Sequence, residues 1–114
     1  MKQAAATERT AEGIRLYAAA DFDGMRAAGR LAAETLDMIA DHVRPGARTE
    51  ELDTLIHDHM IAHGGRPATL GYRGYTKSSC ISINHVVCHG IPSDKALRDG
   101  DILNIDVTVI LDGW

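Results

Sequence analysis

Residues 78–109, SSCISINHVVCHGIPSDKALRDGDILNIDVTV, contain two strand candidates joined by a polar connection. β-Branched residues are frequent in residues 79–89 and 101–111, and the connection at 92–100 is too short to contain a crossover helix. The two strands are therefore predicted to pair antiparallel. In the second strand every odd position from 103 to 111 is apolar, which predicts that this face packs against the rest of the domain.

Two amphipathic helices are predicted upstream of the strands. Between residues 23 and 43 apolar residues recur at three- and four-residue steps, and Pro45-Gly46 ends the pattern. The predicted buried face of this helix consists of Met25, Ala28, Ala32, Leu36, Ile39 and Val43. Thr49 is the predicted N-cap of a second helix, which Gly64-Gly65 closes. The order of helix, helix and strands indicates an α+β fold in which two helices pack on an antiparallel sheet.

Composition narrows the functional classes. With 114 residues and a net charge of -4, the chain is expected to bind neither nucleic acid nor an anionic membrane as its main partner. No apolar run approaches the roughly 20 residues that span a bilayer, and the start lacks a secretory signal core, so a cytoplasmic location is expected. Residues 1–20 are predicted to be an irregular lead-in with room for a short helical turn, and residues 21–114 to be one domain. Cys80 and Cys88 are too few for a disulfide framework and are predicted to be free thiols.

Two side chains within residues 78–109 are candidates for catalysis or metal binding. Asp106 lies on the polar face of the second strand with Asn104 and Thr108. A carboxylate there is either part of a solvated outer face or a ligand for a hard metal ion. His89 is followed by Gly90 and lies at the end of the first strand candidate, so it is either a turn residue bonded to the backbone or a catalytic histidine.

Three alternative motifs are disfavoured by their spacing. Cys88 and His89 are neighbours whose side chains point to opposite faces of a strand, so they do not form a nucleophile and base. His59 and His63 have helical spacing but lack the adjacent glutamate of a zinc protease. Residues 71–77, GYRGYTK, lack the ending of a phosphate-binding loop, so their tyrosines are interpreted as pocket walls.

Several segments together resemble bacterial type I methionine aminopeptidases. They are residues 71–75 (GYRGY), 80–84 (CISIN), 86–92 (VVCHGIP) and 100–108 (GDILNIDVT), supported by 25–32 (MRAAGRLA) and 44–46 (RPG). The resemblance covers nearly the whole chain but only about half of the family's catalytic domain. It implies the first half of a pita-bread fold, truncated at the C-terminus, in an enzyme that removes the initiator methionine from new proteins.

The resemblance also implies roles for individual residues. Asp106 matches the first metal-ligand aspartate, and His89 matches the histidine that binds substrate and stabilises the tetrahedral intermediate. Tyr72, Tyr75 and Cys80 match walls of the methionine pocket, where a thiol suits a thioether side chain. The backbone of Asn84 and Val86 matches a site for a monovalent cation.

Cofactors and partners follow from the same resemblance. The complete enzyme is expected to hold two divalent ions, and the sequence does not distinguish among Co, Mn, Fe, Zn and Ni. This chain carries one of the five protein ligands of these ions. The expected substrate is the N-terminal methionine of nascent peptides, the complete enzyme is expected to be a monomer, and the ribosome is a candidate partner. Thr69, Arg73 and His85 differ from the residues that relatives carry at these positions, and these differences concern fine substrate preference. The alternative function is a non-catalytic half-domain that binds a complementary fragment or a nascent chain.

Overall fold

A computed structural model describes residues 8–114 and confirms the α+β class. The elements in chain order are β1 (Glu8–Arg9), β2 (Arg15–Leu16), α1 (Ala19–Ala40), α2 (Thr49–Ala62), β3 (Arg66–Pro67), β4 (Cys80–Ile83), β5 (Leu103–Asp106) and β6 (Val109–Ile110). A 3₁₀ turn at Tyr72–Gly74 lies between β3 and β4. No helix in the described part of the chain is long and apolar enough to cross a membrane.

The strands form three antiparallel pairs, β1 with β2, β3 with β6, and β4 with β5. The antiparallel pairing of the two main strands is thus confirmed, but each is four residues long, so the predicted ranges 79–89 and 101–111 are wrong. The first strand ends at Ile83 because Asn84 takes a left-handed φ of 54°. The predicted range 101–111 contains two separate strands, because β5 pairs with β4 whereas β6 pairs with β3.

The predicted alternation along residues 103–111 is confirmed. The odd positions are buried or half-buried, whereas residues 104, 106 and 108 are exposed. Val109 is the most buried of the set, at 8% exposed. The odd positions therefore belong to the face that packs against the helices.

Helix α1 begins four residues before the predicted start and buries a partly different face. Ala28 and Ile39 are buried as predicted, but Met25 and Leu36 are 55% and 40% exposed, so their assignment to the core is wrong. The buried stripe instead consists of Asp21, Gly24, Ala28, Leu31, Thr35 and Ile39. A polar residue is tolerated there because the Thr35 hydroxyl donates to the Leu31 carbonyl at 2.7 Å. Apolar periodicity alone could not place this stripe.

Helix α2 is held at its start by the connection between β4 and β5. Its N-cap is Arg48 and not Thr49, which is the first helical residue. The Thr49 hydroxyl accepts from the Ser93 N–H at 2.8 Å and donates to the Ser93 carbonyl at 3.1 Å. The Glu50 N–H also donates to the Ser93 carbonyl, at 2.8 Å. The sequence prediction failed because the hydroxyl pairs with a distant segment instead of capping its own helix.

The core lies between the two helices and the β4–β5 and β3–β6 pairs. Its fully buried side chains include Ile39 from α1 and Leu52, Ile56 and Met60 from α2. Leu97 of the connection between β4 and β5 belongs to the same core, and its N–H donates to the Ala47 carbonyl at 2.8 Å. The connection at 92–100 is therefore packed onto the helices and helps to fix the strands that it joins.

Replacing Thr49 by valine should test this attachment. Valine keeps the shape of the side chain but loses both hydrogen bonds to Ser93, so we expect the free energy of unfolding to fall by about 1 to 2 kcal/mol. Thr54→Val is a matched control, because the exposed Thr54 hydroxyl donates to the Glu50 carbonyl of its own helix and, among the described residues, to no distant segment. Urea denaturation of both variants measures the difference. Equal losses would contradict a specific role for the Thr49 hydroxyl.

The irregular lead-in predicted for residues 1–20 is described only from residue 8 onward. Residues 1–7 of that range lie outside the described residues. In the remainder, β1 and β2 pair as a short hairpin, and at its turn the Gly13 N–H donates to the Thr10 carbonyl at 2.9 Å. No helical turn precedes α1 within residues 8–18.

Candidate active site

A cavity of about 470 Å³ opens between the 3₁₀ turn, the start of β4 and the loop that follows β4. It is lined by Thr69, Tyr72, Arg73, Gly74, Tyr75, Cys80 and His89. The structure thus brings together the four residues that the resemblance assigns to substrate binding. A concave, mostly apolar surface of this volume is typical of a small-molecule or side-chain pocket.

One wall of the cavity is fixed by hydrogen bonds of Tyr75. Its hydroxyl donates to the Ser79 carbonyl at 2.8 Å and accepts from the Cys80 thiol at 3.5 Å. Tyr72, at the start of the 3₁₀ turn, is 63% exposed, and the Arg73 guanidinium lies 5.4 Å from its ring centre. Cys80 and Cys88 are both free thiols, as predicted. The cavity therefore has a rigid wall at Tyr75 and Cys80 and an open rim at Tyr72.

Burial, together with the adjacent Cys80 thiol, raises the pKa of the Tyr75 phenol above its ordinary value of 10.0. The folded chain keeps this phenol neutral at a pH where the unfolded chain ionises it. The contribution of Tyr75 to stability is therefore complete below pH 10 and is lost as the pH rises from 10 toward the folded-state pKa.

Replacing Tyr75 by phenylalanine should remove this loss of folding stability at alkaline pH. We expect the free energy of unfolding of the wild-type chain to fall more steeply between about pH 9 and about pH 11 than that of the variant. Urea denaturation at several pH values measures both slopes. Parallel slopes would show that the Tyr75 phenol ionises alike in the folded and unfolded chains.

His89 lies on a loop and not at a strand end, so its predicted mounting is wrong. Strand β4 ends six residues earlier, at Ile83. The loop is nevertheless held against β4, because the Ile81 N–H donates to the Gly90 carbonyl at 2.8 Å and the Gly90 N–H donates to the Ser82 hydroxyl at 3.0 Å. His89 itself has a φ of 56°, a conformation that costs free energy in most residues. These contacts fix the backbone of an exposed histidine at the cavity rim.

Asp106 is exposed at the end of β5 and lies directly opposite Cys80 in the β4–β5 ladder. Directly opposed residues of an antiparallel pair share a face, with Cβ atoms about 5 Å apart. The carboxylate is therefore next to the cavity wall. Within residues 8–114, however, no three His, Cys, Asp or Glu side chains are grouped to hold a metal ion. One carboxylate is too few ligands for a catalytic divalent ion, so the described residues do not form a metal centre by themselves.

Asn84 and Val86, predicted to form a cation site, lie outside the cavity. The Asn84 side chain donates to Asp101 at 2.9 Å and accepts from the Ile102 N–H at 3.1 Å. The hydrogen bond from the Asn84 side chain is the main reason why the pKa of the Asp101 carboxyl is lowered. The bond from the Arg98 N–H lowers this pKa further. These contacts give the Asn84 side chain a structural role in the strand connection.

Asp53, which lies behind the cavity, escaped the sequence analysis, and Thr69, which lines it, was noted there only as a departure from the family pattern. Asp53 of α2 is buried, and its carboxylate accepts hydrogen bonds from the residues that precede β4. The Thr69 hydroxyl lines the cavity and donates to the Lys77 carbonyl at 2.9 Å. A signal for Asp53 was present, because it interrupts the apolar face between Leu52 and Ile56.

The chain belongs to metallopeptidase family M24, whose sequence model matches residues 23–114. It is 60% identical over 101 residues to a methionine aminopeptidase of Rickettsia prowazekii, covering 89% of this chain and 39% of that protein. It is 59% identical over 96 residues to a methionine aminopeptidase of Escherichia coli K12, covering 82% of this chain and 36% of that protein. The chain therefore spans about two-fifths of the length of these relatives.

Solved structures confirm the fold. The crystal structure of the R. prowazekii methionine aminopeptidase matches with a TM-score of 0.86 and 60% identity, over 88% of this chain and 40% of that one. A methionine aminopeptidase of Thermotoga maritima matches with a TM-score of 0.83 and 30% identity, over 87% and 40%. An Xaa-Pro dipeptidase of Bacillus anthracis, 17% identical, shares the fold with a TM-score of 0.72. These neighbours have the pita-bread fold, of which this chain forms a part.

Proposed function

We propose that this chain is part of a methionyl aminopeptidase, which hydrolyses the bond after the N-terminal methionine of new proteins. The observation that carries the proposal is the cavity in which Tyr72, Tyr75, Cys80 and His89 meet. Its aromatic and thiol lining suits an unbranched, polarisable thioether. The methionine aminopeptidases of R. prowazekii and E. coli, about 60% identical to this chain, support the same substrate.

In this proposal the cavity binds the methionine side chain and His89 lies beside the bond to be cleaved. Tyr75 and Cys80 form the fixed wall, so the side chain is oriented before the reaction. With the side chain held there, the scissile amide lies toward the rim, where the His89 imidazole donates a hydrogen bond to the developing oxyanion. A preorganised donor of this kind stabilises the transition state more than the ground state.

Asp106 is the proposed contribution of this chain to metal binding. Membership of a metallopeptidase family implies divalent ions, and we propose two of them, drawn from Co, Mn, Fe, Zn or Ni. Bound divalent ions supply an activated water near neutral pH. Asp106 would provide one oxygen ligand on the face it shares with Cys80, and the other ligands would come from outside residues 8–114. The backbone of Asn84 and Val86 is proposed to bind a monovalent cation.

The setting of the reaction follows from its substrate. Nascent chains carry the initiator methionine, so we place the activity in the cytoplasm, with the ribosome as a candidate partner and a monomer as the complete enzyme. Direct binding to nucleic acid is not expected, given the net charge of -4.

A chimeric enzyme tests the proposal. Residues 23–114 would replace the matching segment of the E. coli relative, and release of methionine from a Met-Ala-Ser peptide would be measured with added manganese or cobalt. We expect metal-dependent turnover by the chimera and none by the 114-residue chain, because one carboxylate does not hold a catalytic metal.

Two outcomes would contradict this expectation. A folded chimera without turnover, alongside an active E. coli parent, would favour the alternative of a binding half-domain. Metal-dependent turnover by the pure 114-residue chain would overturn the expectation that its residues need further metal ligands.

A further inference from the structure

A buried carboxylate lies directly behind the cavity wall. Asp53 of α2 is 7% exposed and makes no ion pair with residues 8–114. Burying a carboxylate costs free energy unless hydrogen bonds satisfy it. Its Oδ1 atom accepts from the Ser78 N–H at 3.0 Å and from the Ser79 hydroxyl at 2.6 Å. This charge therefore holds the two residues that lead into β4.

Ser79 connects this carboxylate to the cavity. Its side chain donates to Asp53, while its carbonyl accepts the hydroxyl of Tyr75 at 2.8 Å. The Tyr75 oxygen in turn accepts from the thiol of Cys80, the next residue along the chain, at 3.5 Å. Ser79 is completely buried, so no water competes for these bonds. A shift of Ser79 would consequently move both the ring and the thiol that line the cavity.

We propose that Asp53 is a positioning residue for the substrate pocket. It holds Ser78 and Ser79 so that Tyr75 and Cys80 present a fixed surface to the methionine side chain. This inference rests on the proposed function for its substrate, but the contacts that carry it belong to the chain alone. Because Asp53 does not line the cavity, its removal should weaken substrate binding and leave the chemical step largely intact.

The first experiment measures the wall without any enzyme assay. In a Cys88→Ser background Cys80 is the single thiol, and its alkylation by iodoacetamide reports how firmly the wall is held. Asp53→Ala should accelerate alkylation about tenfold, since it removes two hydrogen bonds together worth about 1.4 kcal/mol or more. Ser79→Ala, which removes one of them, should give a smaller acceleration.

Asp58→Ala is the matched control, because Asp58 lies on the same helix but its side chain is 69% exposed and, within residues 8–114, hydrogen-bonds to His57 and not to the residues before β4. Circular dichroism verifies that each variant is folded. If Asp53→Ala does not fold, Ser79→Ala decides the result. Alkylation of a folded Asp53→Ala or Ser79→Ala variant at the rate of the Asp58→Ala control would overturn the proposal.

The second experiment measures binding and catalysis separately in the chimera. Asp53→Ala should raise KM for a methionyl peptide about tenfold while kcat stays within about twofold. Asp53→Asn should restore most of the affinity, because its amide oxygen accepts the same two hydrogen bonds. In a Tyr75→Phe background, the effect of Asp53→Ala on KM should shrink, since the two residues act through one contact.

Additive effects of Asp53→Ala and Tyr75→Phe, or a fall in kcat without a rise in KM, would overturn the positioning role. If the chimera releases no methionine, the proposed function fails, whereas the alkylation rates still decide whether Asp53 holds the wall.

Discussion

Replacing Gly90 by alanine should lower the free energy of unfolding by about 3 kcal/mol, the upper end of the cost of overpacking. A Cβ atom at this position would overlap the carbonyl oxygen of Ile81 and lie 2.9 Å from the Ser82 Cα. Those atoms belong to the β4 backbone and cannot rotate away. The loop would have to leave the strand, so its two hydrogen bonds to Ile81 and Ser82 would be lost as well.

Gly29→Ala is the control for this substitution. Gly29 lies within α1, and a Cβ atom there would meet nothing within 4 Å. Alanine in a helix is favoured over glycine, so this variant should gain about 0.5 to 1 kcal/mol. Urea denaturation of both variants is the measurement. A Gly90→Ala chain as stable as wild type would mean that the loop does not depend on close approach to β4.

Replacing His89 by alanine should have the largest effect on catalysis. In the chimera, we expect kcat to fall by about 10² to 10³, the usual result of removing one donor that stabilises an oxyanion. The free energy of unfolding should change by less than about 0.5 kcal/mol, because the side chain is exposed. Peptide hydrolysis and denaturation of the same preparation give both quantities.

Two further variants sharpen the interpretation. His89→Asn should recover part of kcat, since asparagine carries an N–H donor and tolerates the left-handed backbone at this position. His85→Ala, an exposed histidine in the same loop that does not line the cavity, should keep wild-type kcat. Full activity of His89→Ala would remove His89 from the proposed mechanism.

The elements that sequence analysis predicted are those with local causes. The alternation along residues 103–111, the short polar connection and the helical spacing of apolar residues each arise from neighbours in the chain. Antiparallel pairing and helix number followed from them. The stripe of α1 was misplaced because Thr35 is buried through a bond within its own helix, and Met25 is exposed. Whether a polar residue is buried can be predicted only when its hydrogen-bond partners are known.

The site was predicted through resemblance more than through chemistry. Tyr72, Tyr75, Cys80 and His89 meet in one cavity, although they are spread over 18 residues of sequence. Spacing alone could not reveal this, because the meeting depends on the folding of the loop at Gly90 onto β4. Asp53 could not be connected to the pocket at all, since its partners lie 25 and 26 positions away in the sequence.

The attachment of Gly90 to β4 also affects how this chain behaves at high concentration. Strand β4 is entirely buried, with β5 along one edge and the Gly90 backbone at the other. Its sequence, Cys-Ile-Ser-Ile, is uncharged and contains two β-branched isoleucines, features that promote aggregation when a strand edge is free. By covering that edge, the loop that carries His89 also shields the strand from pairing with other copies of the chain.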